Sequence, residues 1–170
     1  MNNTIINTKD WERFFLLDLF DISLAKGDLK EGKCLPGKYP LISSGDKNNG
    51  TVCYTNGESS EDEKYNSTLF EGNCITLDMF CNAFYQQNSF FAVSHGRVNI
   101  LTPKKDVNKY HLLYICTLLN REKYRFSYGR AVYSKDAKKI VIKLPVTQNG
   151  DPDWQYMEDY IKSLPYGDCI

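Results

Sequence analysis

Residues 73–124, NCITLDMFCNAFYQQNSFFAVSHGRVNILTPKKDVNKYHLLYICTLLNREKY, decide the fold class. Runs rich in Val, Ile, Phe and Tyr recur through the first half, and such side chains suit a pleated, half-buried surface. They predict strands over residues 73–79, 83–86, 90–94 and 97–101. The period then changes. Leu112, Ile115, Cys116 and Leu119 fall at i, i+3, i+4 and i+7, one apolar stripe that predicts a helix over residues 108–124. Strands first and helices mostly later argue for an α+β fold.

Outward from this stretch, residues 11–22 (WERFFLLDLFDI) are dense in apolar side chains and predict a short helical or extended segment packed into the core. Gly27, Gly32, Pro36 and Gly37 punctuate a loop-rich stretch. Residues 39–43 and 51–55 read as short strands around SGDKNNG, where Asn49-Gly50 is the strongest hairpin signal of the chain. The acidic residues 58–64 read as a solvated loop.

On the C-terminal side, residues 139–144 (KIVIKL) read as a strand stopped by Pro145. Asp151 reads as a helix cap, with Pro152 in the first turn, where its missing N–H costs nothing. Trp154, Met157, Ile161 and Leu164 recur at i, i+3, i+7 and i+10, a narrow apolar seam. Glu158 and Lys162 add an i, i+4 pair, and the helix stops at Pro165. No repeat or linker divides the chain. The expectation is a single domain over residues 1–170, with a core at 11–150 and a C-terminal amphipathic helix at about 151–164.

Charge narrows the function. The 21 basic and 21 acidic residues balance to zero, which by itself argues against a generic nucleic-acid binder. The average conceals a pattern. Residues 121–143 hold eight Lys/Arg against two acids, whereas 58–71 and 144–170 each hold five acids and one lysine. One face can therefore be basic while the whole is neutral, and the near field is what a phosphate backbone meets. Aromatic content reaches 14%, with twelve tyrosines, a residue suited to strands and wet interfaces.

The six cysteines form no CxxC and no zinc-finger spacing with histidine. The polar N-terminus lacks the parts of a signal peptide, and no apolar run reaches the length of a membrane span. Reduced thiols in a cytoplasmic protein that engages no membrane are the expectation, several of them filling core positions.

Catalytic motifs are absent. The sequence contains neither a methyltransferase's glycine-rich cofactor loop and Asn/Asp-Pro-Pro-aromatic motif nor GxxxxGK[ST]. A nuclease needs a metal-holding carboxylate cluster. The nearest candidate, Pro152-Asp153 with Asp159 and Lys162, has its lysine one residue too far and sits on a helix whose charges the dipole already explains. Cysteine nucleophile chemistry would need His95 or His111 beside a thiol, and no flanking pattern marks one. The chain is expected to be non-catalytic, with no metal site.

The basic stretch REKYRFSYGRAVYSKDAKKIVIK (121–143) interleaves cations with Tyr124, Phe126, Tyr128 and Tyr133. Lys123, Arg125, Arg130 and Lys135 are candidates to neutralise phosphates, and Tyr128 and Tyr133 to hydrogen-bond them. A solvated charged loop is the alternative. Two polar clusters, Ser43, Ser44, Gly45, Asp46, Lys47, Asn48 and Asn49, then Tyr85, Gln86, Gln87 and Asn88, could read base edges, and otherwise are ordinary hairpin turns. His95, in a polar turn, joins the candidate list. The seam of Trp154, Met157, Ile161 and Leu164 would either contact a partner or pack on its own core.

Five stretches together carry a family resemblance. They are the segment 11–22 followed by Gly27, KYPLISSGDKNNGTVCYT (38–55), ITLDMFCNAFYQ with AVSHGRVNIL (75–86 and 92–101), KYRFSYGRAVYSKDAKKIVIKLPV (123–146) and NGDPDWQYMEDYIKSLP (149–165). Their order and spacing resemble the target-recognition domain of Type I restriction–modification specificity subunits, also found fused in Type IIG and IIB enzymes. The resemblance covers nearly all of residues 11–166. It departs at Cys81, where family members often carry glycine.

The resemblance implies a curved, strand-rich domain that lies on duplex DNA with loops in the major groove. It implies no activity and no cofactor in this chain. Methylation and cleavage, with S-adenosylmethionine and ATP, would belong to a methyltransferase subunit and a restriction subunit. Complete specificity subunits carry two recognition domains separated by long helices, and this sequence holds one domain and no such helix. It is therefore expected to read a half-site with a second copy or a partner. An assembly or modulator protein that docks on a methyltransferase without reading sequence is the alternative.

Overall fold

The computed structural model describes residues 8–60, 67–95 and 97–167. The apolar opening segment is extended, then helical, then extended again: β1 (Glu12–Phe15), a one-turn helix α1 (Leu16–Leu19) and β2 (Phe20–Leu24). Asp18 sets this turn, because its carboxylate accepts the Phe15 backbone N–H at 3.2 Å. A long hairpin follows, β3 (Cys34–Ile42) and β4 (Thr51–Ser59). Asn48, Asn49 and Gly50 at its tip all have positive φ, as the Asn-Gly signal predicts for a tight reversal. Of the predicted acidic loop, residues 61–64 lie outside the described residues.

Strands β5 (Leu69–Phe70), β6 (Cys74–Leu77), β7 (Ala83–Gln86), β8 (Phe90–Ala92) and β9 (Asn99–Pro103) complete the strand-rich part. The last of these starts two residues later than the sequence predicts. Arg97 adopts a φ of 49°, and its N–H returns to the Ser94 carbonyl at 2.9 Å, closing a turn where extension was expected. Helix α2 (Lys109–Arg121) follows, then a one-turn helix α3 (Ser134–Ala137), β10 (Val141–Leu144) and helix α4 (Trp154–Ser163). The two one-turn helices add to the single internal helix predicted. Strand β10 also starts late, since the Lys139 and Ile140 N–H groups continue the turn that ends α3.

Among the described residues the strands form three sheets: β1 with β10, an antiparallel sheet ordered β2-β9-β6-β7, and a mixed sheet ordered β4-β3-β8-β5 in which β3 and β8 are parallel. The largest core packs α2 and α4 against the antiparallel sheet and its flanking segments, with Leu16, Phe20, Ile75, Leu101, Leu112, Ile115, Leu119 and Met157 fully buried. A smaller core of Leu29, Leu41, Phe91 and Val93 lies under the hairpin.

Both long helices are capped by side chains. Asn108 accepts the N–H of Tyr110 at 3.0 Å, and His111 Nδ1 accepts the Asn108 N–H at 3.0 Å, a reciprocal cap. In α4 the cap is Asp153, which accepts the Tyr156 N–H at 3.0 Å, and not Asp151. Pro152 is held outside the helix, because it forms a bridge with Val146 while the Asp153 N–H bonds the Pro145 carbonyl.

The predicted seam on α4 is corrected in part. Met157 and Ile161 are buried in the protein's own core, with Trp154 packed beside them, and of the four only Leu164 is exposed. These apolar side chains follow the helical period because they face α2, which leaves Met157 and Ile161 no surface for a partner.

Candidate nucleic-acid interface

Asn49 of the 43–50 loop and the end of β7 meet at one open groove of about 890 Å³, while Asn48 lines a separate depression with Asp46. Lys38, Tyr39 and Tyr54 of the hairpin form one wall of the groove, Asn49, Tyr85, Gln87 and Asn88 contribute polar groups, and Thr117 and Asn120 of α2 close the far side. No carboxylate is among the described residues that line it. The two polar clusters that the sequence singled out are thus neighbours in space.

Their roles differ. Asn48, Asn49, Lys47 and Gln87 are exposed, and Ser43, Ser44 and Tyr85 are half-buried. Gln86 points inward, only 6% exposed. Its Nε2 donates to the Asn49 carbonyl at 3.1 Å and to Thr76 Oγ1 at 2.9 Å. The expectation that Gln86 reads bases is therefore corrected. It braces the loop from below, because strand alternation turns it toward the loop while Tyr85 packs against the main core on the opposite face and Gln87, past the strand's end, is exposed. Burial raises the Tyr85 hydroxyl pKa, and that hydroxyl donates to Asn73 Oδ1 at 3.4 Å.

Asp78 organises the next part, and sequence reasoning passed over it. This carboxylate, only 4% exposed, accepts the backbone N–H groups of Phe80 and Asn82 at 2.8 Å each, Asn82 Nδ2 at 2.7 Å and the Gly45 N–H at 3.0 Å. The first three contacts build the turn between β6 and β7, and the fourth ties the 43–50 loop to it. The signal was local: an aspartate followed two to four residues later by small or polar residues is a turn former.

Cys81, in the same turn, has a φ of 65° and a fully buried side chain. The backbone there is left-handed, the conformation glycine adopts without strain. That backbone is occupied here by a cysteine whose S–H reaches the Leu119 carbonyl at 3.4 Å. Burial pushes that thiol up to about 12.

The basic segment docks on the other side of this turn. The Phe80 ring meets the Tyr128 ring edge-to-face at 5.0 Å, and the Val132 N–H donates to the Met79 carbonyl at 2.9 Å. Ser127 and Arg130 exchange both backbone hydrogen bonds, so Tyr128 and Gly129 stand at the tip of a tight turn. A Cβ added at Gly129 would meet nothing within 4 Å. The fold thus leaves open space at that tip, and a partner could approach its backbone closely.

Arg125, Tyr128, Arg130, Tyr133 and Lys135 are exposed and Lys123 is half-buried. Two carry internal partners. Arg125 pairs with Glu122 at 2.6 Å, and that hydrogen bond raises its pKa. The Tyr133 hydroxyl accepts a hydrogen bond from Arg97, whose guanidinium lies 4.5 Å from the Tyr133 ring centre. Arg97, absent from the sequence-based candidates, thereby brings the turn bearing exposed His95 against the basic segment.

The residues weighed for nuclease chemistry have local duties. Asp153 caps α4, Asp159 Oδ1 accepts from Gln155 at 2.9 Å, and Lys162 pairs with Glu158. No helix among the described residues is long and apolar enough to cross a membrane.

The domain is of the α+β class, with exposed amides in its loops and a basic, tyrosine-bearing turn, and comparisons with known proteins place it. Residues 8–165 match the Type I restriction modification DNA specificity domain, and the chain belongs to that family. It is 32% identical over 168 residues to the Type II restriction enzyme BgcI specificity subunit S.BcgI of Heyndrickxia coagulans, covering 96% of this chain and 45% of that protein. Its fold is similar to the HsdS subunit from Thermoanaerobacter tengcongensis (TM-score 0.60, 14% identity, 99% of this chain and 39% of that one). It is also similar to the Type-I restriction-modification system S subunit from M. genitalium (TM-score 0.55, 16% identity, 81% and 35%). The chain spans less than half the length of each of these relatives.

Proposed function

We propose that this chain reads one half-site of duplex DNA for a restriction–modification system and leaves the chemistry to partner subunits. The observation that carries the proposal is the arrangement around the turn of residues 78–82. On one side lies a carboxylate-free groove bearing Asn49, Gln87 and Asn88. On the other lies the basic turn with Arg130 and Lys135 exposed. Amides can hydrogen-bond adenine edges with two bonds, while cations and tyrosine hydroxyls hold phosphates and carry no sequence information.

In this reading Arg130, Lys135 and the open tip at Gly129 engage the phosphate backbone and set the register. Asn48, Asn49, Gln87 and Asn88 face the base edges. The domain holds no cofactor of its own. S-adenosylmethionine and ATP would act on a methyltransferase subunit and a restriction subunit, and a second recognition domain or a second copy would read the other half-site.

Methylome sequencing of cells carrying the chain with its neighbouring methyltransferase tests the proposal. A methylated motif that appears with the chain and vanishes on its deletion is expected. An unchanged methylome would contradict the recognition role.

A further inference from the structure

The recognition hairpin carries two half-buried cysteines whose sulfurs meet. Cys34 and Cys53 are not register partners, since Cys34 pairs with Ser59 and Cys53 with Leu41. Shifts of register between Cys34 and Pro36, and again between Pro36 and Tyr39, bend β3. The two Sγ atoms come to 3.0 Å, with both thiols free. A disulfide spans about 2.0 Å, so a sulfur movement of about 1 Å separates this pair from a bond.

The other described cysteines differ in kind. Cys74, Cys81 and Cys116 are buried. Among the described cysteines, Cys34 and Cys53 sit partly at the surface. Their position matters too, because a bond between them would close the loop of residues 34–53. That loop contains the groove residues Lys38, Tyr39 and Asn49.

We propose that Cys34 and Cys53 form a reversible disulfide site, oxidised by hydrogen peroxide, that clamps the recognition hairpin. One thiol sulfur attacks the peroxide, an S–O bond forms as the O–O bond breaks, and water leaves, giving a sulfenic acid. The sulfur of the second thiol attacks the first, the S–S bond forms, the S–O bond breaks and a second water departs. Two thiols and one peroxide give one disulfide and two waters. A small thiol reverses the reaction by exchange, becoming oxidised to its own disulfide. Burial, together with the hydrogen bond and charge of Cys34, pushes the Cys53 thiol up to about 12.

The intact chain treated with peroxide, alkylated under native conditions and mapped by mass spectrometry tests this site. The expected result is a mass loss of two hydrogens, loss of two alkylation equivalents and one cross-linked peptide pair joining Cys34 to Cys53, all restored by dithiothreitol. Cys34→Ser and Cys53→Ser should each prevent the cross-link, with folding checked by circular dichroism. Hydrogen exchange across residues 38–52 should slow in the oxidised protein. Native, folded protein that keeps both thiols alkylatable after peroxide, or that cross-links other cysteines instead, would overturn the proposal. Unchanged exchange in protein that carries the bond would overturn the clamp.

Discussion

The carboxylate of Asp78 accepts the backbone N–H of Gly45 at 3.0 Å, a contact between residues 33 apart in sequence. It joins the loop that carries Asn48 and Asn49 to the turn on which Tyr128 rests, so one buried acid sets the spacing of the two halves of the proposed interface. Asp78→Ala leaves four donors without this acceptor. A loss of about 2–4 kcal/mol in stability is expected, since buried unsatisfied donors and charge-assisted bonds are each worth that order. Asp78→Asn should not restore it, because an amide donor replaces one oxygen that donors now face. Urea unfolding of the three proteins measures this.

Gln86 supports the same loop from beneath through its bond to the Asn49 carbonyl. Gln86→Ala is expected to cost about 1–2 kcal/mol and to speed hydrogen exchange in residues 43–50. Exchange as slow as in the wild type would remove Gln86 from that bracing role.

The left-handed backbone at Cys81 makes a second stability prediction. Cys81→Gly relieves strain of about 1 kcal/mol but empties the buried space of the sulfur, so the two effects nearly cancel. Cys81→Val keeps the strain and adds branching, and should lose about 2 kcal/mol or more. Thermal unfolding should rank the wild type and glycine variant together, with valine well below both.

Acid should weaken the contact between the two long helices. His111 lies 8% exposed beside the Trp154 ring, with Nε2 at 3.4 Å from Glu158 Oε2. Burial lowers its pKa from the ordinary 6.5, outweighing the opposing influence of Glu158. The folded protein then binds fewer protons than the unfolded chain below pH 6.5. His111's contribution is complete above that pH and declines as pH falls from there through the lowered value. Urea midpoints at pH 7.5 and about 5.5 should therefore differ more for the wild type than for His111→Gln.

Much of this architecture was legible in the sequence. The period of Leu112, Ile115, Cys116 and Leu119 located α2, and Asn49-Gly50 located the hairpin tip, because both signals are local. What escaped were consequences of contacts between distant segments. Asp151 lost the capping role to Asp153 because Pro152 is tied to Val146, and β9 started late because Arg97 turns back to Ser94. The two polar clusters and the basic segment were visible as composition, but their meeting around Asp78 was not. Gln86 shows the cost of reading a cluster by residue type alone, since its strand turns it toward the loop, where it is buried against the Asn49 carbonyl and Thr76.

Selection from a random duplex pool, followed by sequencing, tests the division between phosphate-holding and base-reading residues most directly. Wild type, the Gln87→Ala/Asn88→Ala double variant and the Arg130→Ala/Lys135→Ala double variant would be run in parallel, each co-expressed with the methyltransferase subunit proposed as its partner. The account predicts that the basic-turn variant enriches the wild-type half-site at lower yield and with a shallower salt dependence, by about one unit per phosphate contact removed. The groove variant should enrich a degenerate or different half-site. A groove variant that enriches the unchanged motif, or a basic-turn variant that changes it, would contradict the account.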